Sequence, residues 1–389
     1  MSTYKLINGD CIEEMKKMDA NSIDSIVTDP PYEIGFMGKG WDNTGIAYNK
    51  TMWAEALRVL KPGGHMLAFS STRTYHRMVC AIEDAGFEIR DQLAWIYGSG
   101  FPKSQNVGKM IDKKAGKTKD AQKYDGWGTA LKPAQEPIVL ARKPLSEKTV
   151  AANVIKHGTG AIDIDNSRVG NEIRTTPVSS DDNRDDKTMF GMNAKIHHKR
   201  EETSKGRWPA NIIHDGSAEV LELFPDSNGS GSAARFFYCA KANKQDRNDG
   251  CEEITAKSIT NAKGNGLGRV CNICSASILK PCECENNSWI LPVTNKNNHP
   301  TVKPTALMQY LIKLITPIGG TVLDPFNGSG STGKAAMLLK QYYIGIDTSP
   351  EYIEISKARI DAAILKHKEP DKEPSKDTIE DTQYFFDNI

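Results

Sequence analysis

No apolar run in the 389-residue chain approaches the roughly 20 residues that a membrane-crossing helix requires, so no membrane partner is expected. The opening segment, MSTYKLINGDC, is polar and lacks the apolar stretch of a secretory signal. Both absences lead to the expectation of a cytoplasmic protein, where thiols stay reduced and disulfides are disfavoured. Net charge is only +1, so the global basic signature of a nucleic-acid binder is missing as well. No internal repeat is visible, which removes repeat architectures from consideration.

The length is enough for one large α/β domain and a smaller module. A hydrophobic content of 38% with a mean hydropathy of −0.50 fits a moderate core with many polar loops. Charge is distributed unevenly. From Arg90 to Lys143 there are eleven Lys/Arg against five Asp/Glu, a net of +6, whereas Lys366 to Ile389 carries four against seven, a net of −3. A basic stretch on a near-neutral chain suits either one face meeting phosphates or a solvated lysine-rich loop.

Residues 1–148 alternate strand-like runs such as SIDSIVTD and HMLAFS with a helical pattern at Met52, Ala56, Leu57 and Leu60. Such alternation predicts a parallel sheet with crossover helices. Residues 149–298 are polar, and six of the ten residues from Ser179 to Thr188 are charged; they are read as an inserted, loop-rich module. Residues 299–366 return to α/β character, with a helical stripe of Leu307, Tyr310, Leu311, Leu314 and Ile315 and the short strands GGTVLDPF and QYYIGID. Residues 367–389, with Pro370 and Pro374, are expected to form a flexible acidic tail. The fold class expected is a doubly wound, mostly parallel sheet with that inserted module.

DPFNGSGSTGK, from Asp324 to Lys334, is a glycine-rich turn between a strand and a helix. It admits three readings. Gly328, Gly330 and Gly333 fit the dinucleotide pattern G-x-G-x-x-G, with Asp347 ending the next strand. Gly328 to Lys334 nearly fits a phosphate-cradling loop, but Ala335 stands where that loop needs a hydroxyl. The third reading starts from Asp324. A carboxylate at the strand end repels a pyrophosphate and attracts the ammonium and sulfonium of S-adenosylmethionine. Asp347 suits ribose hydroxyls in either nucleotide case.

Asp29-Pro30-Pro31-Tyr32 closes the strand SIDSIVTD. The two prolines end the strand, hold the backbone extended and remove two N–H donors while leaving carbonyls. A carboxylate and a proline carbonyl can accept both protons of an exocyclic amine, freeing a lone pair otherwise delocalised into the base. Tyr32 offers a flat face for an extruded base. The plainer reading is a Pro-Pro turn with a surface tyrosine.

Together these motifs resemble the S-adenosylmethionine-dependent amino-methyltransferases that act on adenine N6 or cytosine N4 of DNA, in the permuted order with the catalytic motif first. The resemblance covers about residues 1–148 and 299–366. Asp29, Pro30, Pro31 and Tyr32 match the catalytic motif; Phe326, Gly328 and Gly330 match Phe-x-Gly-x-Gly. NGDCIEEMKKM resembles the opening segment, implying Asp10 and Cys11 near the cofactor adenine. HPTVKP implies Thr301 and Lys303 at the methionine end. LKPGGHMLAF, WIYGSGFPKS and QEPIVLARKP resemble the intervening sheet blocks.

The implied fold is Rossmann-like. The implied cofactor set is Asp10, Cys11, Asp29, Thr301, Lys303, Asp324, Pro325, Phe326, Gly328, Gly330 and Asp347. The implied activity is methylation of DNA, with Asp at the head of the tetrapeptide favouring adenine N6 over cytosine N4. Family members are bacterial or phage-encoded, and a homodimer and a cognate restriction nuclease are the further candidate partners. The family's recognition region falls at 149–298, where the sequence is poorly shared. Two rivals remain: a nicotinamide-dependent oxidoreductase, and a zinc-containing DNA-binding protein on an inactive transferase fold.

Of eight cysteines, Cys271, Cys274, Cys282 and Cys284 form C-x2-C-x7-C-x-C, read as four thiolates around a structural zinc, with Cys251 or His299 as substitute ligands. Cytosine C5 methylation needs a cysteine nucleophile, usually in Pro-Cys-Gln. The only Pro-Cys pair, Pro281-Cys282, is followed by Glu, so no covalent mechanism is expected.

Overall fold

The computed structural model describes residues 3–35, 40–100, 102, 104–115, 119–178, 200–227, 231–240, 245–252, 254, 270–271, 289–290 and 297–366. The strands before residue 149 are β1 (Tyr4–Asn8), β2 (Ile23–Thr28), β3 (Leu60–Phe69), β4 (Glu88–Ile96) and β5 (Gln135–Arg142). Then follow β6 (Val169–Val178), β7 (Arg200–Arg207), β8 (Ile212–His214), β9 (Tyr238–Cys239), β10 (Val270–Cys271), β11 (Trp289–Ile290), β12 (Thr321–Asp324) and β13 (Tyr342–Asp347).

The main sheet has the order β1-β13-β12-β2-β3-β5-β4-β8-β9, while β6–β7 and β10–β11 form separate two-stranded ribbons. Pairing is parallel from β1 across to β3 and again from β4 to β9. Within this sheet β5, wedged between β3 and β4, runs antiparallel to both neighbours. The expected mostly parallel, doubly wound sheet is therefore present.

Helices cover both faces. α1 (Cys11–Lys16), α2 (Lys50–Val59) and α3 (Tyr75–Asp84) bury Met15, Met52, Trp53 and Met78 against one face. α4 (Val107–Ala115) and α5 (Lys119–Lys123) stand in the β4–β5 connection, α6 (Val150–His157) follows β5, and α7 (Ala218–Leu221) and α8 (Gln245–Asn248) are single turns. α9 (Thr305–Ile315), α10 (Ser331–Leu338) and α11 (Pro350–Lys366) cover the other face, and the whole Leu307–Ile315 stripe is buried there. β2, buried at every position, is the continuous strand that a sheet covered on both faces demands.

The register of β12 on β2, Val322 with Ser25 and Leu323 with Ile26, does most to place the site. It sets the end of a strand near the C-terminus beside the end of one near the N-terminus, so the two motifs leave the same sheet edge as neighbours. Open α/β sheets bind ligands at that edge.

Residues 149–298 join the same sheet in part. β8 and β9 extend it beyond β4, and the buried Asn153 side chain of α6 donates to the Pro62 carbonyl at 2.8 Å. The segments HGTGAIDIDNSR and GRWPANIIHD thus pack on the core: Thr159 Oγ1 donates to Pro62 O at 2.7 Å, and IIH forms β8. Of the cysteine cluster, Cys274, Cys282 and Cys284 lie outside the described residues, as does the side chain of Cys271. The tail 367–389 also lies outside them. Among the described residues no group of His, Cys, Asp or Glu could hold a metal, and no helix is long and apolar enough to cross a membrane.

Candidate active site

The edge between β2 and β12 opens into a cavity of about 460 Å³. Asp10, Cys11, Asp29, Pro30, Pro31, Tyr32, Thr301, Lys303, Asp324, Pro325, Phe326, Gly328 and Asp347 all line it. Gly330 does not. It takes φ +74 at the start of α10, where a Cβ would lie 2.2 Å from Ser356 Oγ, so its role is close packing of the loop on α11. Gly328, at φ +49, faces His299: a Cβ there would meet Nε2 at 2.7 Å. The first glycine thus shapes the cavity wall and the second seats the helix behind it.

The loop is braced from below. Asp324, 2% exposed, accepts from Thr28 Oγ1 and Thr332 Oγ1 at 2.7 Å each and from the Phe326 N–H at 3.1 Å. Burial pushes its carboxyl up to about 6, against the pull of those hydrogen bonds. Both oxygens are engaged, so Asp324 fastens β12, β2 and α10 together rather than projecting a free charge.

Asp347 accepts from the Gly328 N–H at 2.8 Å and from the Ser349 N–H at 2.8 Å. Each oxygen keeps a second lone pair for a ligand hydroxyl. Asp10 caps α1 by accepting from the Ile12 and Glu13 N–H groups at 2.9 and 3.1 Å. The Cys11 thiol is pushed up to about 12, chiefly by burial and then by Asp10, which keeps it a neutral apolar wall.

At the other motif, Lys303 is 5% exposed. Its ammonium reaches Asp29 Oδ2 at 2.7 Å and the Tyr32 hydroxyl at 3.2 Å, with Glu136 Oε2 at 3.3 Å. Burial by itself lowers the lysine; the facing Asp29 and Glu136 outweigh it and raise it. Tyr32 donates its hydroxyl to Glu136 at 2.8 Å, and its carbonyl accepts from Thr74 Oγ1 at 2.7 Å. The three ammonium protons therefore face three oxygens. Lys303, expected at the methionine end of a cofactor, lines the cavity and holds the tetrapeptide through Asp29 and Tyr32. Asp29 Oδ1, by contrast, is buried and has no hydrogen-bond partner.

Several residues of the site are not among the expected catalytic or cofactor residues. Glu136 comes from the start of β5. His299 lines the cavity and meets Tyr352 edge-on at 4.6 Å; burial lowers it to about 4. Arg359, wholly buried, donates to the Ser329 carbonyl at 2.5 Å and to the Asp246 carbonyl at 2.8 Å. Lys334, the lysine of the near-phosphate loop, is turned onto Asp249 at 2.9 Å and Asp246 at 3.4 Å. Arg247 in turn donates to the His299 carbonyl at 3.0 Å. The turn α8 so fastens the glycine loop to the HPTVKP segment.

The sheet order, the paired strand ends and this cavity define a class, and comparison of sequences assigns it. The N6/N4 DNA methylase family model matches residues 23–358, and the chain belongs to that family. Among its relatives is the type II methyltransferase M.HindIII of Haemophilus influenzae. It is 31% identical over 199 residues, which cover 40% of this chain and 63% of the relative. M.BglI of Bacillus subtilis is 42% identical over 86 residues, or 22% of this chain and 25% of that protein. The chain matches less than two thirds of the length of either. Among solved structures, PvuII DNA methyltransferase (cytosine-N4-specific) aligns over 98% of this chain and 91% of its own, with 15% identity and a TM-score of 0.47.

Proposed function

We propose that this chain transfers a methyl group from S-adenosylmethionine to an exocyclic base amine in DNA, adenine N6 in preference to cytosine N4. The observation that carries the reading is Asp29. One of its oxygens is fixed by Lys303, the other is buried without a partner, and the residue lines the cavity it shares with the glycine loop. Leaving a buried acceptor unpaired costs about 1–3 kcal/mol. A group held in that state is poised for a ligand donor, and an amine supplies one.

The cavity volume lies in the usual range for small-ligand sites, about 300–1,000 Å³. Its residues suit S-adenosylmethionine: Asp347 toward the ribose hydroxyls, Asp10, Cys11 and Phe326 toward the adenine, and Asp29 and Thr301 toward the methionine end. When bound, that molecule supplies an electrophilic methyl on a sulfonium. The chain's residues prepare the nucleophile. Asp29 Oδ1 and the Pro30 carbonyl accept the two amine protons, so the nitrogen pyramidalises and its lone pair turns from the ring toward the methyl group. Asp29 Oδ1 is also placed to take the proton the amine must lose. Tyr32, anchored through Glu136 and Thr74, presents its ring to the base. Proximity and orientation supply much of the acceleration.

Residues 149–298 are proposed to carry target recognition, with Cys271, Cys274, Cys282 and Cys284 around a structural zinc, read from spacing alone. The adenine preference rests on the resemblance, in which Asp heads the tetrapeptide of the adenine enzymes. Calorimetric titration tests the reading: S-adenosylmethionine should bind and NADH should not, and labelled methyl should enter DNA. NADH binding without methyl transfer would favour the oxidoreductase; DNA binding without transfer would favour the inactive fold.

A further inference from the structure

Between Tyr97 and Glu136 the chain leaves the sheet and builds a small hairpin from α4 and α5. Its backbone is pinned. Asn106 bridges to Gly128, the Val107 N–H donates to the Trp127 carbonyl at 2.9 Å, and Ser104 Oγ accepts from the Thr129 and Ala130 N–H groups at 2.9 and 3.3 Å. The helices cross closely, since a Cβ on Gly108 would lie 2.9 Å from the Ala121 carbonyl. Among its described residues two large apolar side chains nevertheless turn outward: Trp127 is 62% exposed and Leu131 92%. Tyr124 stands edge-on to Trp127 at 5.8 Å.

Charge tells what such a face meets. Ser104 to Pro133 carries seven lysines against three aspartates, a net of +4 in a chain whose total is +1. Lys109, Lys113, Lys114 and Lys132 are exposed. Aromatics interleaved with lysines suit a nucleic acid, whose phosphates take the ammonium groups and whose bases take the rings. Position agrees. Because β5 runs antiparallel to β3 and β4, the hairpin springs from the sheet edge where the cavity opens. Its returning residue, Glu136, is bonded to Tyr32.

We propose that the α4–α5 hairpin is a duplex-docking arm, resting on the methyltransferase reading above. Its lysines seat on phosphates flanking the target. Trp127 enters the base stack and holds the gap left when the target base turns into the cavity. Apolar wedges that part a base step act in this way, and a base already mispaired needs less help to leave the stack.

The test compares wild type with Trp127→Ala and with Lys109→Gln/Lys113→Gln/Lys114→Gln, using a paired duplex and the same duplex mispaired at the target base. Trp127→Ala should lose about tenfold or more in kcat/KM on the paired duplex, the scale on which a base–aromatic contact is lost, and much less on the mispaired one. The triple variant should lower the log–log salt slope of duplex binding by about 0.9 per contact removed. Both should bind S-adenosylmethionine as wild type does. Equal losses on both duplexes, or none, would overturn the wedge; an unchanged salt slope would overturn the phosphate contacts. Unchanged DNA affinity with a shift in sedimentation would make the face a contact between copies. A wild type that binds duplex and transfers no methyl would refute the methyltransferase reading alone, since the variants' binding still tests the arm.

Discussion

Lys303→Met removes the cation that faces Asp29 and Glu136 and leaves the two carboxylates without it in a largely buried site. The lysine side chain is 6% exposed, Asp29 17% and Glu136 18%. At the N–O distances of 2.7 and 3.3 Å, the gross attractions are about 6 and 5 kcal/mol for an effective dielectric near 20. Desolvation of the three groups offsets most of that sum. Removing one partner of a buried pair costs about 3–5 kcal/mol, because the remaining charge is stranded. The partial exposure of both carboxylates and the new apolar contact of Met place the expected loss near the lower end, about 3 kcal/mol. Urea unfolding should show a lower midpoint with an unchanged slope. Under conditions where the variant is folded, turnover should fall far more than S-adenosylmethionine affinity, since Asp347, Phe326 and Gly328 are untouched. One of the stranded carboxylates should take up a proton, adding an ionisation to the pH–rate profile that wild type lacks. Stability within about 0.5 kcal/mol of wild type, together with normal turnover, would refute the assigned role of Lys303.

Gly328→Ala forces a Cβ to 2.7 Å from His299 Nε2 at φ +49, so stability should drop by about 1–3 kcal/mol and cofactor affinity should fall with it; calorimetry with wild-type affinity would contradict this. Burial lowers His299 from its ordinary 6.5 to about 4, so below 6.5 the unfolded chain binds a proton that the folded chain refuses. Stability should therefore decline as pH falls from about 6.5 to about 4, by up to about 3 kcal/mol from this residue. His65, also held at about 4 by burial, adds the same trend, so His299→Gln should flatten only part of it; an unaltered pH dependence in that variant would sink the assignment. Purified protein should carry about one zinc per chain, lost in Cys271→Ser or Cys282→Ser, and metal-free fresh protein by elemental analysis would rule out the cysteine-cluster reading.

Legibility in the sequence followed chain distance. The tetrapeptide and the glycine loop are contiguous, and each closes an apolar run whose end marks a strand end, so both could be read directly. The stripe Leu307–Ile315 was readable for the same reason, a single period within one helix. Glu136 was not, because its meaning depends on Tyr32, 104 positions away. Arg359 looks like an ordinary surface cation until the fold buries it on Ser329, and Lys334 ends a recognisable glycine loop whose sequence gives no sign of its partner Asp249. β8 and β9, of three and two residues, are too short to show an alternating period, so the sheet's extension into 149–298 had no local signal. Lys303 could be assigned to the site by its motif, but its partners, Asp29 and Glu136, are set by the adjacency of strands far apart in sequence.

In the proposed reaction Asp29 drives methyl transfer to a base amine. Nucleoside mass spectrometry of DNA from cells otherwise free of base methylation, expressing either wild type or Asp29→Ala, tests it most directly. Wild type should yield N6-methyladenine and the variant none, with the variant still folded and binding S-adenosylmethionine. N4-methylcytosine in place of N6-methyladenine would correct the base and leave the mechanism standing. Equal methylation by both proteins, or no methylated base from wild type, would contradict the account.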